Sequence, residues 1–312
     1  MMLLIGHIIN VIITVHPTNP RGTFPAFILI PTKSVREKSF KLSGQSMLAI
    51  GRLPAPPEAP VIRAGMVMLE IIGLSKSYKE IKAAVDINLR VPDGQILGLI
   101  GPNGSGKTTT IRSALTLLDW DTGTVKVNGH DIVEDPVEAR KGLGYIPDDP
   151  SLYYGLTVWQ HIAFMARAHR AENWEARAEE LLHRFEITEK KNEFVRTLSK
   201  GQTQKCWATC VFVTKPMVVL MDEPITGMDP RGVHVFKDLL NEMKARGGCG
   251  LVSSHQLHLV EDVCDRIALI SKGRIVLEGD INELKAKMKM SPDRDLEELY
   301  LKITEVYDAN EG

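Results

Sequence analysis

Apolar and polar positions alternate with distinct periods along most of the chain, and the periods predict its elements. Residues 69–74 form a short apolar run, and Val85, Ile87, Leu89 and Val91 alternate with polar residues up to the turn Pro92-Asp93-Gly94. A period of two closed by a turn signal predicts paired antiparallel strands, half buried. Residues 96–100 are a further apolar run ending in a Gly-rich stretch. Beyond it Ile111, Ala114, Leu115 and Leu118 recur at i, i+3, i+4 and i+7, one face of an amphipathic helix. Residues 123–128 read as a short strand turned at Asn128-Gly129, and 157–186 as helical. Within that helical stretch Trp174, Ala178, Leu181, Leu182 and Phe185 form a stripe whose spacing suits core packing. Residues 218–221 and 251–253 read as buried strands ending at polar residues, and 266–270 with 274–277 as a hairpin turned at Lys272-Gly273. Strands alternating with helices predict an α/β fold on a largely parallel sheet, with ligands at the C-terminal ends of its strands.

Residues 1–65 follow none of these periods. They hold eight of the seventeen prolines, clustered at Pro54, Pro56, Pro57 and Pro60, and seven Lys/Arg against two Asp/Glu. Their apolar stretch 1–15 contains His7 and Asn10 and is too short for an ordinary spanning helix. It also lacks the basic flank and small-residue cleavage site of a secretory signal. The segment is therefore expected to stand apart from the fold, with translation starting at Met66 or Met68. A disordered or loosely attached extension and a membrane-associating segment are the alternatives.

The remainder carries 31 Lys/Arg and 37 Asp/Glu, net −6, so no basic field favours nucleic acid. No run after Met66 is long enough to cross a bilayer. At 44% hydrophobic residues the chain has ample material for a core. Four cysteines show no CxxC spacing. Cys206 and Cys210, four apart on an expected helix, read as small buried apolar groups, and no disulfides are expected, which suits a reducing compartment.

The chemistry begins where the third apolar run ends. Residues 101–108 read GPNGSGKT, that is Gly101, Pro102, Asn103, Gly104, Ser105, Gly106, Lys107 and Thr108, with Thr109 following into a helix. Strand, glycine-rich turn and helix in this order make a phosphate-binding loop. Glycine permits positive φ and close backbone approach, and successive amides at a helix N-terminus favour an anion. Lys107 is placed to reach the β- and γ-phosphates, and the Thr108 hydroxyl to hold Mg²⁺; the chain is expected to bind a nucleoside triphosphate. The apolar strand 218–221 then delivers Asp222 and Glu223. A carboxylate at such a strand end is a metal ligand beside a phosphate loop, and its neighbour is available as a general base. In TLSKGQTQ, residues 197–204, Ser199, Gly201 and a helix N-terminus suit an anion, with an ordinary helix cap as the equal alternative.

These motifs stand in one order: the phosphate loop, LSKGQ at 198–202, VVLMDEP ending at Pro224, and SSH ending at His255. In order and interval they resemble the nucleotide-binding subunit of an ATP-binding cassette transporter over roughly 68–280. DEPITGMDP at 222–230 and GDINEL at 279–284 are most similar to single-cassette subunits of exporters. The resemblance implies a P-loop NTPase core with a mostly parallel sheet, an antiparallel β subdomain and a helical subdomain inserted at about 150–198. The cassette would span 66–280, with a helical tail at 281–312. It further implies that Tyr78 stacks on adenine, that His255 contacts the γ-phosphate beside the base Glu223, and that Asp229 serves communication between two cassettes. Leu198, Ser199, Lys200, Gly201 and Gln202 would face the ATP of an opposing cassette. ATP and Mg²⁺ are the implied ligands. A second cassette and an integral membrane permease are the implied partners, which places the protein at the cytoplasmic face of the membrane.

Three positions depart from the family pattern. Lys200 replaces the first of two glycines in LSGGQ, and Ile225 stands where Thr or Ser is common. Asp148 replaces a Gln that touches Mg²⁺ and couples the site to the membrane partner; a shorter, charged carboxylate there implies slower turnover or altered metal preference. Beside the transport reading stand a cassette ATPase of translation or DNA repair, which would carry two cassettes or a coiled-coil insertion, and an ATP-sensing module without turnover.

Overall fold

The computed structural model describes residues 67–287, 289–291 and 295–302. The readings of residues 1–65 and of an initiating Met66 lie outside the described residues, as does part of the 281–312 tail. In chain order the elements are β1 (Val67–Tyr78), β2 (Ile81–Pro92), β3 (Ile96–Ile100), α1 (Lys107–Ala114), β4 (Thr122–Val127), β5 (His130–Asp131), α2 (Pro136–Arg140) and β6 (Leu143–Ile146). There follow α3 (Val158–Ala168), α4 (Trp174–Arg184), α5 (Lys200–Phe212), β7 (Val218–Asp222), α6 (Pro230–Ala245), β8 (Cys249–Ser253), α7 (Leu257–Val263), β9 (Arg266–Ser271), β10 (Arg274–Asp280) and α8 (Ile281–Lys287). Residues 296–302 are also helical.

The strands form two sheets. One is antiparallel in the order β2-β1-β4-β5; the other runs β10-β9-β3-β8-β7-β6. In the second, β9, β3, β8, β7 and β6 pair in parallel, and only the edge strand β10 is antiparallel. The α/β expectation with a mostly parallel sheet and a separate antiparallel sheet therefore holds. Alternation along the strands divides the core in two. Leu97, Leu99, Val218, Leu220 and Leu251 face the antiparallel sheet and α1. Ile96, Ile100, Val219, Met221 and Val252 face the other way, onto the layer built by α3 to α7. Both faces of the sheet are covered, so its central strands are apolar throughout, as a parallel sheet requires.

Two expected helices are shorter than their periods. The apolar pattern after the phosphate loop runs to Leu118, but α1 stops at Ala114. Thr116 takes φ 59, and the amides of Leu117 and Leu118 both return to Arg112 O, which closes the helix end. Leu118 therefore lies in a turn. The helical stretch 157–186 is two helices, because Arg170 and Asn173 adopt φ 54 and φ 48 between α3 and α4. The Trp174–Phe185 stripe packs as expected, with Ala178, Leu181 and Leu182 fully buried and the Trp159 ring tilted against Trp174 at 5.2 Å between centroids. Thr157 and Gln160 form a reciprocal cap at the start of α3.

Candidate functional site

The buried strand β3 delivers the glycine-rich segment into a tight space. A Cβ on Gly101 would lie 2.2 Å from Ile270 O, and one on Gly106 2.2 Å from Ala83 O; Gly106 moreover has φ 110. No side chain fits either place. α1 begins at Gly106 without a side-chain cap and with no acidic residue in its first turn. Its first amides point into the loop with no intrahelical acceptor, an arrangement that suits an anion. Pro102, Asn103 and Gly104 are exposed on the rim, whereas Ser105 is buried and Thr109 half-buried. Lys107 is 7% exposed, and its Nζ donates to Gly101 O at 2.8 Å and Pro102 O at 3.1 Å. Two of three ammonium protons are thus used inside the loop, leaving one for a ligand. Burial pulls the Lys107 ammonium below its ordinary pKa, and Glu223 and Asp222 oppose that shift.

β7 and β8 pair so that Asp222 lies opposite Ser253. Asp222 is 2% exposed, and its Oδ1 accepts from Ser253 Oγ at 2.6 Å and Thr108 Oγ1 at 3.0 Å. Glu223 turns away, at φ 49. Its Oε1 accepts from the His255 amide at 2.9 Å and meets His255 Nδ1 at 2.8 Å, and its Oε2 accepts from Ser254 Oγ at 3.2 Å. The adjacent carboxylates therefore serve different groups. Asp222 with Thr108 offers hard oxygen donors that suit Mg²⁺, while Glu223 with His255 forms an acid–base pair. Asp148 is half-buried in the loop after β6. The nearby Tyr145 hydroxyl is pushed up to about 12 by burial and then by Asp222, with a smaller push from Asp148; Arg112 opposes them. The two aspartates thus act on one phenol from different loops.

Tyr78 ends β1, 44% exposed, with Lys76 Nζ 5.3 Å from its ring centroid. Ala83 of β2 borders the phosphate loop at Gly106, and Tyr78 stands on the neighbouring strand β1, paired with Ile81 two residues before Ala83. The 198–202 segment goes elsewhere. Ser199 caps α5, accepting from the Gln202 amide at 3.3 Å while its own amide donates to Gln202 Oε1 at 3.0 Å. A Cβ on Gly201 would lie 2.3 Å from Gly227 O, and the Lys200 stem packs on Gly227 as well. Among the described residues no hydrogen bond joins 198–202 to the loop 101–109. Asp229 caps α6 through the Gly232 amide at 2.7 Å and pairs with the buried Lys205 at 2.6 Å. That Lys205 hydrogen bond holds its carboxyl below the usual range.

Sequence reasoning named neither Ser253 as an Asp222 partner, nor Ser254 as a Glu223 partner, nor Gln204 and Lys205 as links from α5. The serines belong to a recognised SSH stretch and were within reach. Gln204 and Lys205 carry no such signal, since their partners are far away in sequence.

The family model for ABC transporters matches residues 84–226. The chain is 34% identical over 241 residues to the ABC-type transporter ATP-binding protein EcsA of Bacillus subtilis, covering 77% of this chain and 97% of that protein. It is 31% identical to the lipopolysaccharide export system ATP-binding protein LptB of Haemophilus influenzae, over 69% of this chain and 91% of that one. A solved structure of an ATP-binding subunit of an ABC transporter superposes with TM-score 0.72 at 32% identity, covering 76% of this chain and 99% of that one. Fold, loop geometry and relatives agree, and the chain belongs to the ATP-binding subunits of ABC transporters.

Proposed function

We propose that this subunit hydrolyses ATP to drive a partner permease, and that two copies close over two ATP molecules to do so. The observation that carries the reading is the division of labour at the end of β7. Asp222 is committed to the Thr108 and Ser253 hydroxyls, and Glu223 to His255. The amides of 104–108 cradle the phosphates, and Lys107 donates its remaining proton to them. Glu223 takes the proton of an attacking water, and His255, 59% exposed and hydrogen-bonded to it, holds the carboxylate in line. Thr108 and Asp222, with Asp148 nearby, would hold Mg²⁺, which when bound offsets charge on the phosphate oxygens. Most of the gain in such reactions comes from positioning and electrostatics, so Lys107, Thr108 and Asp222 matter as much as the base. Tyr78 stacks on the adenine, contact of about 1–3 kcal/mol in comparable base–aromatic pairs. Ser199 and Gly201 contact the ATP of the opposing copy, and Asp229 joins the two halves.

Among the described residues no helix is long and apolar enough to cross a membrane, so the translocation path is assigned to another chain. The printed names of EcsA and LptB support a transport role, the latter specifically export. We place the subunit at the cytoplasmic face of the membrane, exporting through a permease, with no role for nucleic acid. The segments 1–65, 66–280 and 281–312 keep the roles of extension, cassette and tail. The test is Glu223→Gln. It is expected to retain ATP, lose most turnover and dimerise with ATP on size-exclusion chromatography. Normal turnover in this variant removes Glu223 from the mechanism.

A further inference from the structure

Gln204 lies inside the protein, 0% exposed, on α5 and five positions beyond the cap Ser199. Its Nε2 donates to Pro147 O at 3.1 Å and to Pro224 O at 2.7 Å. Each acceptor belongs to a different loop of the candidate site. The Pro147 carbonyl shares its peptide unit with the amide of Asp148. Pro224 directly follows Glu223, and because its ring fixes φ, a hold on its carbonyl limits how the chain can leave Glu223. Both amide protons of one side chain are thus spent on the loop before Asp148 and the loop after Glu223. The other end of the amide fares worse, since Gln204 Oε1 is buried with no partner among the described residues.

That imbalance argues against a purely packing role. The buried orphan oxygen is a cost that packing alone would not incur, and it is offset only by the two donors, whose loss would leave the Pro147 and Pro224 carbonyls unpaired instead. The amide is kept for what its two donors hold. Its helix is also the one whose cap is Ser199 and whose first turn carries Gly201, about 7.5 and 4.5 Å away along the axis at 1.5 Å per residue. A helix moves as a unit over that distance, so displacement at its N-terminus reaches both loops together.

We propose that Gln204 is a positioning residue for hydrolysis. Through Pro147 and Pro224 it keeps the Asp148 and Glu223 loops in register and ties both to the placement of the 198–202 segment. The proposal rests on the ATPase reading above and adds a residue that touches neither nucleotide nor metal. It also predicts a particular kinetic signature, a loss in kcat with nucleotide affinity spared, since the phosphate loop lies on other elements.

The test compares wild type, Gln204→Leu and Gln204→Glu in the full chain, by phosphate release, equilibrium dialysis of ATP and thermal melting. Gln204→Leu is expected to bind ATP within about twofold of wild type while kcat falls about tenfold or more, the scale of a slightly misplaced reacting group. Its melting temperature should fall by roughly a few degrees, because the Pro147 and Pro224 carbonyls lose their donor while one orphan acceptor disappears. Ionised Gln204→Glu sets a carboxylate against two carbonyl oxygens and should be slow at pH 8. Lowering the pH protonates it and restores one donor, so its kcat relative to wild type should climb, whereas that of Gln204→Leu should not. If Gln204→Leu fails to fold, the pH profile of Gln204→Glu decides alone. A kcat within twofold of wild type in Gln204→Leu, or a flat relative profile in Gln204→Glu, overturns the proposal. Absence of turnover in wild type overturns the ATPase reading itself, and the positioning role with it, so the wild-type measurement separates the two failures.

Discussion

His161 makes stability depend on pH in a direction and amount that can be worked out. It sits in α3, 1% exposed, among the rings of Tyr153, Phe164 and Trp207 and 3.6 Å from Cys210 Sγ. Its Nε2 has no hydrogen-bond partner among the described residues, and burial raises the pKa of the neighbouring Cys210 thiol and Tyr153 phenol, keeping both neutral at ordinary pH. Burial lowers its pKa from 6.5 to about 4. The unfolded chain therefore binds the proton more readily than the folded one between those values, and stability falls as pH drops through that window. At 1.36 kcal/mol per pKa unit the full loss is about 3 kcal/mol, of which roughly 2 is reached by pH 5. Urea midpoints of wild type and His161→Phe, measured from pH 7.5 to 4 at constant ionic strength, isolate this group from the titrating carboxylates. The replacement carries a fixed packing penalty but no proton, so the difference between the two proteins should shift steadily in favour of the variant as pH falls. A difference that stays constant across the range refutes the reasoning.

Two further substitutions probe the loops around the site. Asp229→Ala removes a helix cap, about 1 kcal/mol, and leaves the buried Lys205 ammonium unpaired, for a total of roughly 2 kcal/mol once the half-exposed position of Asp229 is allowed for. Because the Lys205 bond depresses the Asp229 carboxyl below 3.8, this cost should be equal at pH 7 and pH 5 and shrink only below about pH 4; chemical denaturation at three pH values checks it. Asp148→Gln should raise the ATPase rate and change its Mg²⁺ dependence, since it replaces a carboxylate with a longer neutral amide at the proposed metal site. Unchanged rate and metal dependence would remove Asp148 from the metal's surroundings.

How legible the molecule was depended on the range of the forces involved. The strands at 85–91 and 218–221 announce themselves because burial on one or both faces imposes a local period. The phosphate loop is legible because Gly101 and Gly106 answer steric demands that no other residue meets. Helix ends were harder to read. Leu115 and Leu118 continue the apolar period past Ala114, yet the chain turns at Thr116, where backbone geometry overrides the pattern. The break at Arg170 and Asn173 is equally silent, with neither Gly nor Pro to mark it. Gln204 and Lys205 were unreadable for a different reason. Their partners are Pro147, Pro224 and Asp229, brought near only by the packing of α5 against the sheet, and no spacing along the chain encodes that meeting.

The claim on which the account turns is that the loop between β3 and α1 holds the phosphates of ATP, with Lys107 supplying the charge. Equilibrium dialysis of radiolabelled ATP against wild type and Lys107→Ala, with Mg²⁺ present and folding checked by circular dichroism, tests it directly. Wild type should retain nucleotide, and the folded variant should bind it about a hundredfold more weakly, as expected from losing charge-assisted hydrogen bonds of about 3 kcal/mol. Equal retention by both proteins, or none by wild type, would contradict it.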